Sequence, residues 1–150
     1  MVSLWLCHGS ELPDLLPALT SYTVLGKVEG TGAEWHGHVT AITVAPEYRR
    51  LSLARKMMIF LEQVSDQTYK GFFVDLYVRC TNVVAIELYE GMEYTAYRRI
   101  REYYDTLGQG EGGKDEEDAF DMRKPLSRDT HRRSIRPNGK NVIVNKHEVS

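Results

Sequence analysis

The apolar residues of this chain switch between two periods, and that switching limits what it can fold into. Tyr22 to Glu29, YTVLGKVE, is β-branched and aromatic, and Gly26 is a candidate bulge. Gly30-Thr31-Gly32 then signals a turn. Trp35 to Val44 reads as a second strand, so the pair predicts an antiparallel hairpin. From Leu51 to about Thr68 the apolar positions 53, 54, 57, 58, 61 and 64 form one face of a helix. Gly71 ends it, and FFVDLYV, residues 72–78, is apolar enough for a central strand. Asn82 can cap a second helix with its face at Val83, Ala85, Ile86 and Tyr89, and Gly91 can end it. Tyr94 to Tyr104 returns to strand composition. The predicted order β-β-α-β-α-β describes an α/β domain with a mixed sheet flanked by helices.

The segments outside this core read differently. In residues 1–21 the helical spacing of Leu12, Leu15, Leu16 and Leu19 is interrupted by Pro13 and Pro17. The expectation there is a short helix or an unpacked leader. After Asp105, GQGEGGKDEEDAF is Gly-rich and acidic, and residues 122–140 carry seven Lys or Arg against Asp129. Residues 106–150 are read as a polar tail, largely disordered or bound to a partner. A contact of that basic run with RNA is the alternative. A net charge of −2 gives no global attraction to nucleic acid or anionic membrane, so direct nucleic-acid binding is not expected. No apolar run reaches the roughly 18 residues of a membrane helix. Residues 1–16 lack a basic region ahead of their short apolar run, so no signal peptide is read and a cytoplasmic protein is expected. Cys7 and Cys80 have no metal-like spacing; they read as free thiols, and no metal site is assigned.

The chemistry concentrates in VAPEYRRLSLARKMM, Val44 to Met58. Pro46 ends the strand because it has no N–H for the ladder. The turn amides and those of the first helical turn have no intrahelical acceptor, and the helix dipole adds positive character there. Arg49 and Arg50 contribute full charges. A diphosphate fits such an arrangement. A solvated basic helix start fits it equally well from this stretch alone.

Arg49-Arg50-Leu51-Ser52-Leu53-Ala54 resembles the acetyl-coenzyme A signature of the GNAT acetyltransferase superfamily: Gln or Arg, two variable residues, Gly, one variable residue, then Gly or Ala. Arg49 and Ala54 match its ends, and Ser52 stands at the glycine position. EWHGHVTAITVAPEYRRL, GFFVDLYVR, the helix ending in LYEGM, IREYYD and EEDAFDMRKPLSRDT extend the resemblance over about residues 22–135. Together they are similar to the catalytic subunits of NatB N-terminal acetyltransferases. The resemblance implies a GNAT-type fold and acetyl transfer from acetyl-coenzyme A to the α-amine of chains starting Met-Asp, Met-Glu, Met-Asn or Met-Gln. It also implies an auxiliary NatB subunit, nascent polypeptide N-termini and, through the complex, the ribosome as partners.

What it implies for residues is specific. Ile42, Thr43 and Val44 lend backbone to the pantetheine arm, and the Val44 N–H is a candidate oxyanion donor. The amides of Arg49, Arg50, Leu51, Ser52, Leu53 and Ala54 hold the pyrophosphate. Asn82 reaches the cofactor, although a plain helix cap explains it as well. Tyr89 stands near the cofactor sulfur as a proton donor; by periodicity alone it is a core aromatic. His38 and Thr40, two apart on one strand and so expected on one face, contact the second substrate residue. His36 points the same way and receives no role. Tyr103 and Tyr104 shape the peptide site, and Tyr104 is the first candidate for a base. Neighbouring strand residues face opposite ways, so both tyrosines can enter one pocket only where the strand ends.

Three departures carry expectations of their own. The 21 residues before Tyr22 do not resemble the family's longer leading segment, so the core is expected to lack its usual first strands and helices. That would leave the sheet with an unpaired edge and make the isolated chain prone to aggregate. Such a chain also leaves open a non-catalytic binding module of the same complex. Ser52 costs about 1 kcal/mol relative to glycine if its φ is positive. Glu93 occupies a turn position where the family has glycine, and Gly91 is expected to serve as the left-handed cap in its place.

Overall fold

The computed structural model describes residues 22–46, 49–50, 52–104 and 117–149, together with the backbone of 3–9. Its contacts divide into two units.

The first unit holds residues up to Val74 and the segment Leu126–Thr130. Strand β1 (Ser3–Gly9) pairs antiparallel with β2 (Tyr22–Glu29), and β2 pairs antiparallel with β3 (His36–Val44). The predicted hairpin is present. Helix α1 (Leu53–Gln63) packs on β2 and β3. Leu53, Met57, Met58 and Leu61 are buried, as their spacing required, with Val24, Val28 and Val39 in the same core. The helix widens into a π-turn over Val64–Thr68. Gly37 lets that turn approach β3: a Cβ there would lie 2.1 Å from Ser65 Oγ. Trp35 Nε1 donates to the Tyr69 carbonyl at 2.8 Å, tying the helix exit to the start of β3.

Ser3–Gly9 is a strand, which corrects the expectation of a short helix or unpacked leader for that part of residues 1–21. Its antiparallel register from Ser3↔Val28 to Gly9↔Tyr22 pairs the edge of β2. The expected aggregation from an open edge at β2 loses its structural reason. The leucine run 12–19 lies outside the described residues.

The second unit takes the rest of β4 (Phe73–Arg79), α2 (Val83–Glu90), β5 (Thr95–Tyr104), β6 (Glu117–Pro125) and β7 (Ile143–Asn145). Its strands lie in the order β4-β6-β5-β7, with β5 antiparallel to β6 and parallel to β7. The sheet is thus mixed in direction, as expected. Leu76, Val78, Ile86, Tyr94, Ile100, Ala119 and Met122 are buried. Asp121, fully buried, accepts from Arg98 Nε at 2.9 Å and from Arg123 Nη2 at 3.1 Å. These paired contacts make its burial tolerable.

The reading of residues 106–150 as a largely disordered tail is corrected over the described part. Residues 117–125 form β6, whose Ala119, Asp121 and Met122 are buried. Leu126 N–H donates to the Phe72 carbonyl at 2.9 Å, and Arg128 donates to the Lys70 carbonyl while its guanidinium lies 4.4 Å above the Phe72 ring. Gly139 backs onto β5, where a Cβ would overlap the Ala96 carbonyl.

Candidate active site

The first set of expected site residues lies in the first unit. β3 runs through Ile42, Thr43 and Val44 and ends before Pro46. Arg49 N–H donates to the Pro46 carbonyl at 3.3 Å, and its Nε donates to the Val44 carbonyl at 3.2 Å, folding the turn back on the strand end. Arg50 and Ser52 both sit in the left-handed region, at φ 65° and 58°. Positive φ at Ser52 is why glycine would be easiest there. Ser52 is exposed and its hydroxyl makes no capping bond; the first helical hydrogen bond runs from Lys56 N–H to the Ser52 carbonyl at 3.0 Å. The amides of Leu53 and Ala54 precede that bond and have no intrahelical acceptor. A turn with two guanidinium groups leading into a helix start whose first amides have no intrahelical acceptor can hold a polyanion. Leu51 lies outside the described residues.

β3 corrects one expectation. The register shifts between Leu25 and Gly26: Leu25 faces Ala41 and Gly26 faces Val39, so Thr40 is the extra residue of a bulge. Gly26 lies at the bulge as expected, but the inserted residue is on the other strand. Below it, Gly37 and Val39 are buried with Val28; above it, Ile42 faces buried Val24. The alternation therefore flips at Thr40. His38 shares a face with Ala41 and Thr43, not with Ile42 and Val44. The two-residue spacing of His38 and Thr40 no longer fixes a common direction, because the bulge interrupts the period on which it rested.

The second set lies in the second unit. Asn82 caps α2: its Oδ1 accepts from Ala85 N–H at 3.2 Å. Tyr89 is buried and meets Tyr94 edge-on at 6.0 Å. Tyr104 donates its hydroxyl to the Tyr77 carbonyl at 3.2 Å, with the Arg79 guanidinium 4.4 Å above its ring. Tyr103 meets Tyr77 at 4.8 Å and Tyr104 at 5.0 Å, both edge-on. Tyr103 and Tyr104 therefore belong to one aromatic cluster despite being adjacent. Glu102, at φ 50°, and a register shift between Ile100 and Tyr104 interrupt the alternation of β5 just before them.

Burial raises the Tyr89 hydroxyl above its usual range, and the nearby Tyr104 adds to this. Burial and then Tyr103 raise Tyr104, while Arg79 pulls the other way. Both phenols are proton donors at neutral pH. That suits Tyr89 as an acid and works against Tyr104 as a base. Tyr77 is a member of the cluster that sequence reasoning did not single out. Its hydroxyl is raised by burial first and then by Asp75 and Asp121. Only its place in an apolar strand was visible, and that pointed to core.

The turn after α2 corrects another expectation. Gly91 is right-handed at φ −65°, and Glu93 carries the left-handed residue at φ 71°. Tyr94 N–H donates to the Tyr89 carbonyl and Glu93 N–H to the Glu90 carbonyl, both at 3.0 Å. This is a Schellman ending with Glu93 at C′. Gly91 is two residues too early to serve. An open cleft of about 560 Å³ beside this turn, lined in part by Glu90, Glu93, Arg136 and Lys140, includes none of the expected site residues.

Comparison with known proteins places the chain in a family. The acetyltransferase (GNAT) family matches residues 9–94. The chain is 53% identical over 148 residues to the N-terminal acetyltransferase B complex catalytic subunit of Schizosaccharomyces pombe, covering 99% of this chain and 77% of that one. It is 52% identical over 114 residues to the corresponding subunit of Arabidopsis thaliana, covering 76% of this chain and 60% of that relative's length. Among solved structures, it resembles Chaetomium thermophilum Naa20 in complex with a bisubstrate analogue, with a TM-score of 0.78 and 38% identity, over 87% of this chain and 73% of that one. It also resembles the NatB acetyltransferase complex bound to CoA and MES, with a TM-score of 0.63 and 38% identity, over 79% and 71% of the two chains. The chain belongs to the GNAT acetyltransferase family, among the N-terminal acetyltransferases of the NatB catalytic-subunit type.

Proposed function

We propose that this chain transfers the acetyl group of acetyl-coenzyme A to the α-amine of polypeptides beginning Met-Asp, Met-Glu, Met-Asn or Met-Gln. The observation that carries the reading is the left-handed, doubly basic turn from Arg49 into α1, whose first turn Ser52 leaves uncapped. In this reading the amides of residues 50–54 and the two guanidinium groups hold the pyrophosphate, while the Arg49 N–H shapes the turn through the Pro46 carbonyl. Ile42, Thr43 and Val44 align the pantetheine arm. The α-amine, with an ordinary pKa near 7.7–8.0, needs only a modest base acting through water. Its nitrogen attacks the thioester carbonyl, and the Val44 N–H donates to the developing oxyanion. The C–N bond forms, the C–S bond breaks, and Tyr89 gives its proton to the leaving thiolate. The amine proton leaves through water. No covalent enzyme intermediate is needed.

Asn82 keeps its capping bond through Oδ1 and offers its NH₂ to the cofactor, so its two roles coexist. His38, through a ring N–H, and Thr40, through its hydroxyl, recognise the acidic or amide side chain of the second substrate residue. Tyr103 and Tyr104 shape the site of the peptide N-terminus. An auxiliary subunit is the partner that the relatives' names, as catalytic subunits of a complex, support; the ribosome, reached through that complex, and the cytoplasm follow from the resemblance alone. Relatives named as catalytic subunits favour this over a non-catalytic module.

The deciding assay compares Met-Asp and Ser-Ala peptides with acetyl-coenzyme A, with and without the auxiliary subunit. Acetylation of Met-Asp at least tenfold faster is expected; equal rates, or no transfer in the complex, overturn the reading. Because burial raises both the Tyr89 and the Tyr104 hydroxyl, kcat/KM is expected to rise as the α-amine deprotonates and then hold level up to the ordinary tyrosine range. A fall with a midpoint below pH 9 would remove Tyr89 as the acid.

A further inference from the structure

Glu29, His36 and His38 converge at the bottom of the β2–β3 hairpin. Glu29 stands directly opposite His36 in the register, and His38 lies two residues along the same strand, below the bulge. All three side chains therefore share a face. Their ligand-capable atoms lie within 4.8 Å of one another. Glu29 Oε1 is 3.8 Å from His36 Nε2 and 3.9 Å from His38 Nδ1. Nitrogens and oxygens at about 2.0–2.2 Å around one tetrahedral ion are separated by about 3.3–3.6 Å. A shift of about half an ångström would bring the two Glu29 edges to that spacing, and the imidazole nitrogens, within 4.8 Å, would close on the ion by rotation of the rings.

The surroundings orient His36 and Glu29 as ligands. His36 Nδ1 contacts the Glu34 carbonyl at 2.5 Å, and a carbonyl can only accept, so Nδ1 carries the proton. Nε2, the atom aimed at Glu29, then presents its lone pair in the neutral ring. A backbone carbonyl that sets the tautomer in this way is the usual outer support of a metal-bound histidine. The His36 ring is further held by stacking on Phe73, with centroids 4.5 Å apart and planes 6° from parallel. Lys27 grips the other Glu29 oxygen, Oε2, at 2.5 Å, which leaves Oε1 turned toward the imidazoles. The histidine side chains are only 12% and 11% exposed, so an ion there would be partly shielded yet reachable from solvent.

We propose that His36 Nε2, His38 Nδ1 and Glu29 Oε1 bind a divalent transition metal of the zinc class, with the fourth position open to water. Two imidazoles and one carboxylate suit zinc over magnesium or calcium, which favour all-oxygen sets. The site does not depend on the acetyltransferase reading, although a metal on His38 would compete with any substrate carboxylate that uses the same ring.

The test is titration of the full chain, freed of metal by chelation, with zinc chloride and separately with cobalt chloride. One equivalent binding at micromolar concentration, with a cobalt visible spectrum of tetrahedral intensity, is expected. His38→Asn and Glu29→Gln should each weaken zinc binding at least tenfold. His36→Gln tests the third ligand, and circular dichroism confirms that each variant is folded. Absence of stoichiometric binding overturns the proposal. So does binding that is unchanged in a His36→Gln/His38→Asn double variant, since His8, His131 and His147 would then supply the ligands.

Discussion

The two helices begin in opposite ways. At α2, Asn82 has an ordinary negative φ of −82° and its side chain accepts the Ala85 N–H, so the helix satisfies its own first turn. At α1, Ser52 is left-handed, its hydroxyl makes no capping bond, and two arginines stand just before it. Both Ser and Asn are good caps by residue type. The difference is set by the backbone that delivers them: a φ of 58° at Ser52 goes with a hydroxyl that caps nothing. One N-terminus is closed by the chain itself. The other carries no side-chain cap, and in the proposed reading a ligand completes it.

The largest effect should come from removing charge at the open N-terminus of α1. Arg49→Ala/Arg50→Ala is expected to weaken acetyl-coenzyme A binding about tenfold to a hundredfold, from loss of charge-assisted bonds. Both arginines are exposed, so the melting temperature should hardly move. Calorimetry with the cofactor reads the first and a thermal melt the second. Unchanged affinity would make the two helix starts alike and end the functional contrast.

The closed N-terminus of α2 predicts the reverse pattern. Asn82→Ala should cost about 1 kcal/mol of stability. In a chain of this size that is about 2–4 °C in melting temperature. If Asn82 also touches the cofactor, its affinity falls too, and Asn82→Asp, which keeps the acceptor and loses the NH₂ donor, separates the two roles.

How far these helix starts could be read from the sequence depended on the range of the forces involved. The strands β2 to β5 and both helices were legible because burial of one face leaves a period that the residues display. Asn82 was legible as a cap because capping is local. Thr40 was not legible as a bulge: nothing in HGHVTAI departs from strand composition, and the extra residue exists only against the register of β2. β1 was hidden because it is a strand only by virtue of the edge it covers. β6 was hidden behind charge, since Asp121 and Arg123 look solvated until Arg98 is placed beside them. The Arg49–Ser52 turn is legible through its motif, and the glycine that Ser52 displaces raised the condition of a positive φ, which the backbone meets.

The helix ends sharpen the comparison further. Glu93, like Ser52, holds a left-handed position without being glycine. It closes α2 through two backbone bonds and has no anion to receive. Glu93→Gly should therefore add about 1 kcal/mol of stability and leave cofactor affinity unchanged. A denaturant midpoint that fails to rise would mean that the Schellman ending is not strained by the glutamate.

Ser52 separates backbone from side chain at the smallest scale. Because its hydroxyl caps nothing, Ser52→Ala should change stability by less than about 0.5 kcal/mol, well below the effect of Asn82→Ala. Alanine keeps the left-handed strain that serine has, so little else differs. Ser52→Gly removes that strain, worth about 1 kcal/mol, and also clears the side chain from the face of the turn. It should raise the melting temperature and tighten acetyl-coenzyme A together. A gain in stability without a gain in affinity would mean that the hydroxyl does not face the bound diphosphate. A loss of stability on Ser52→Ala comparable to that of Asn82→Ala would mean that the serine caps α1 after all.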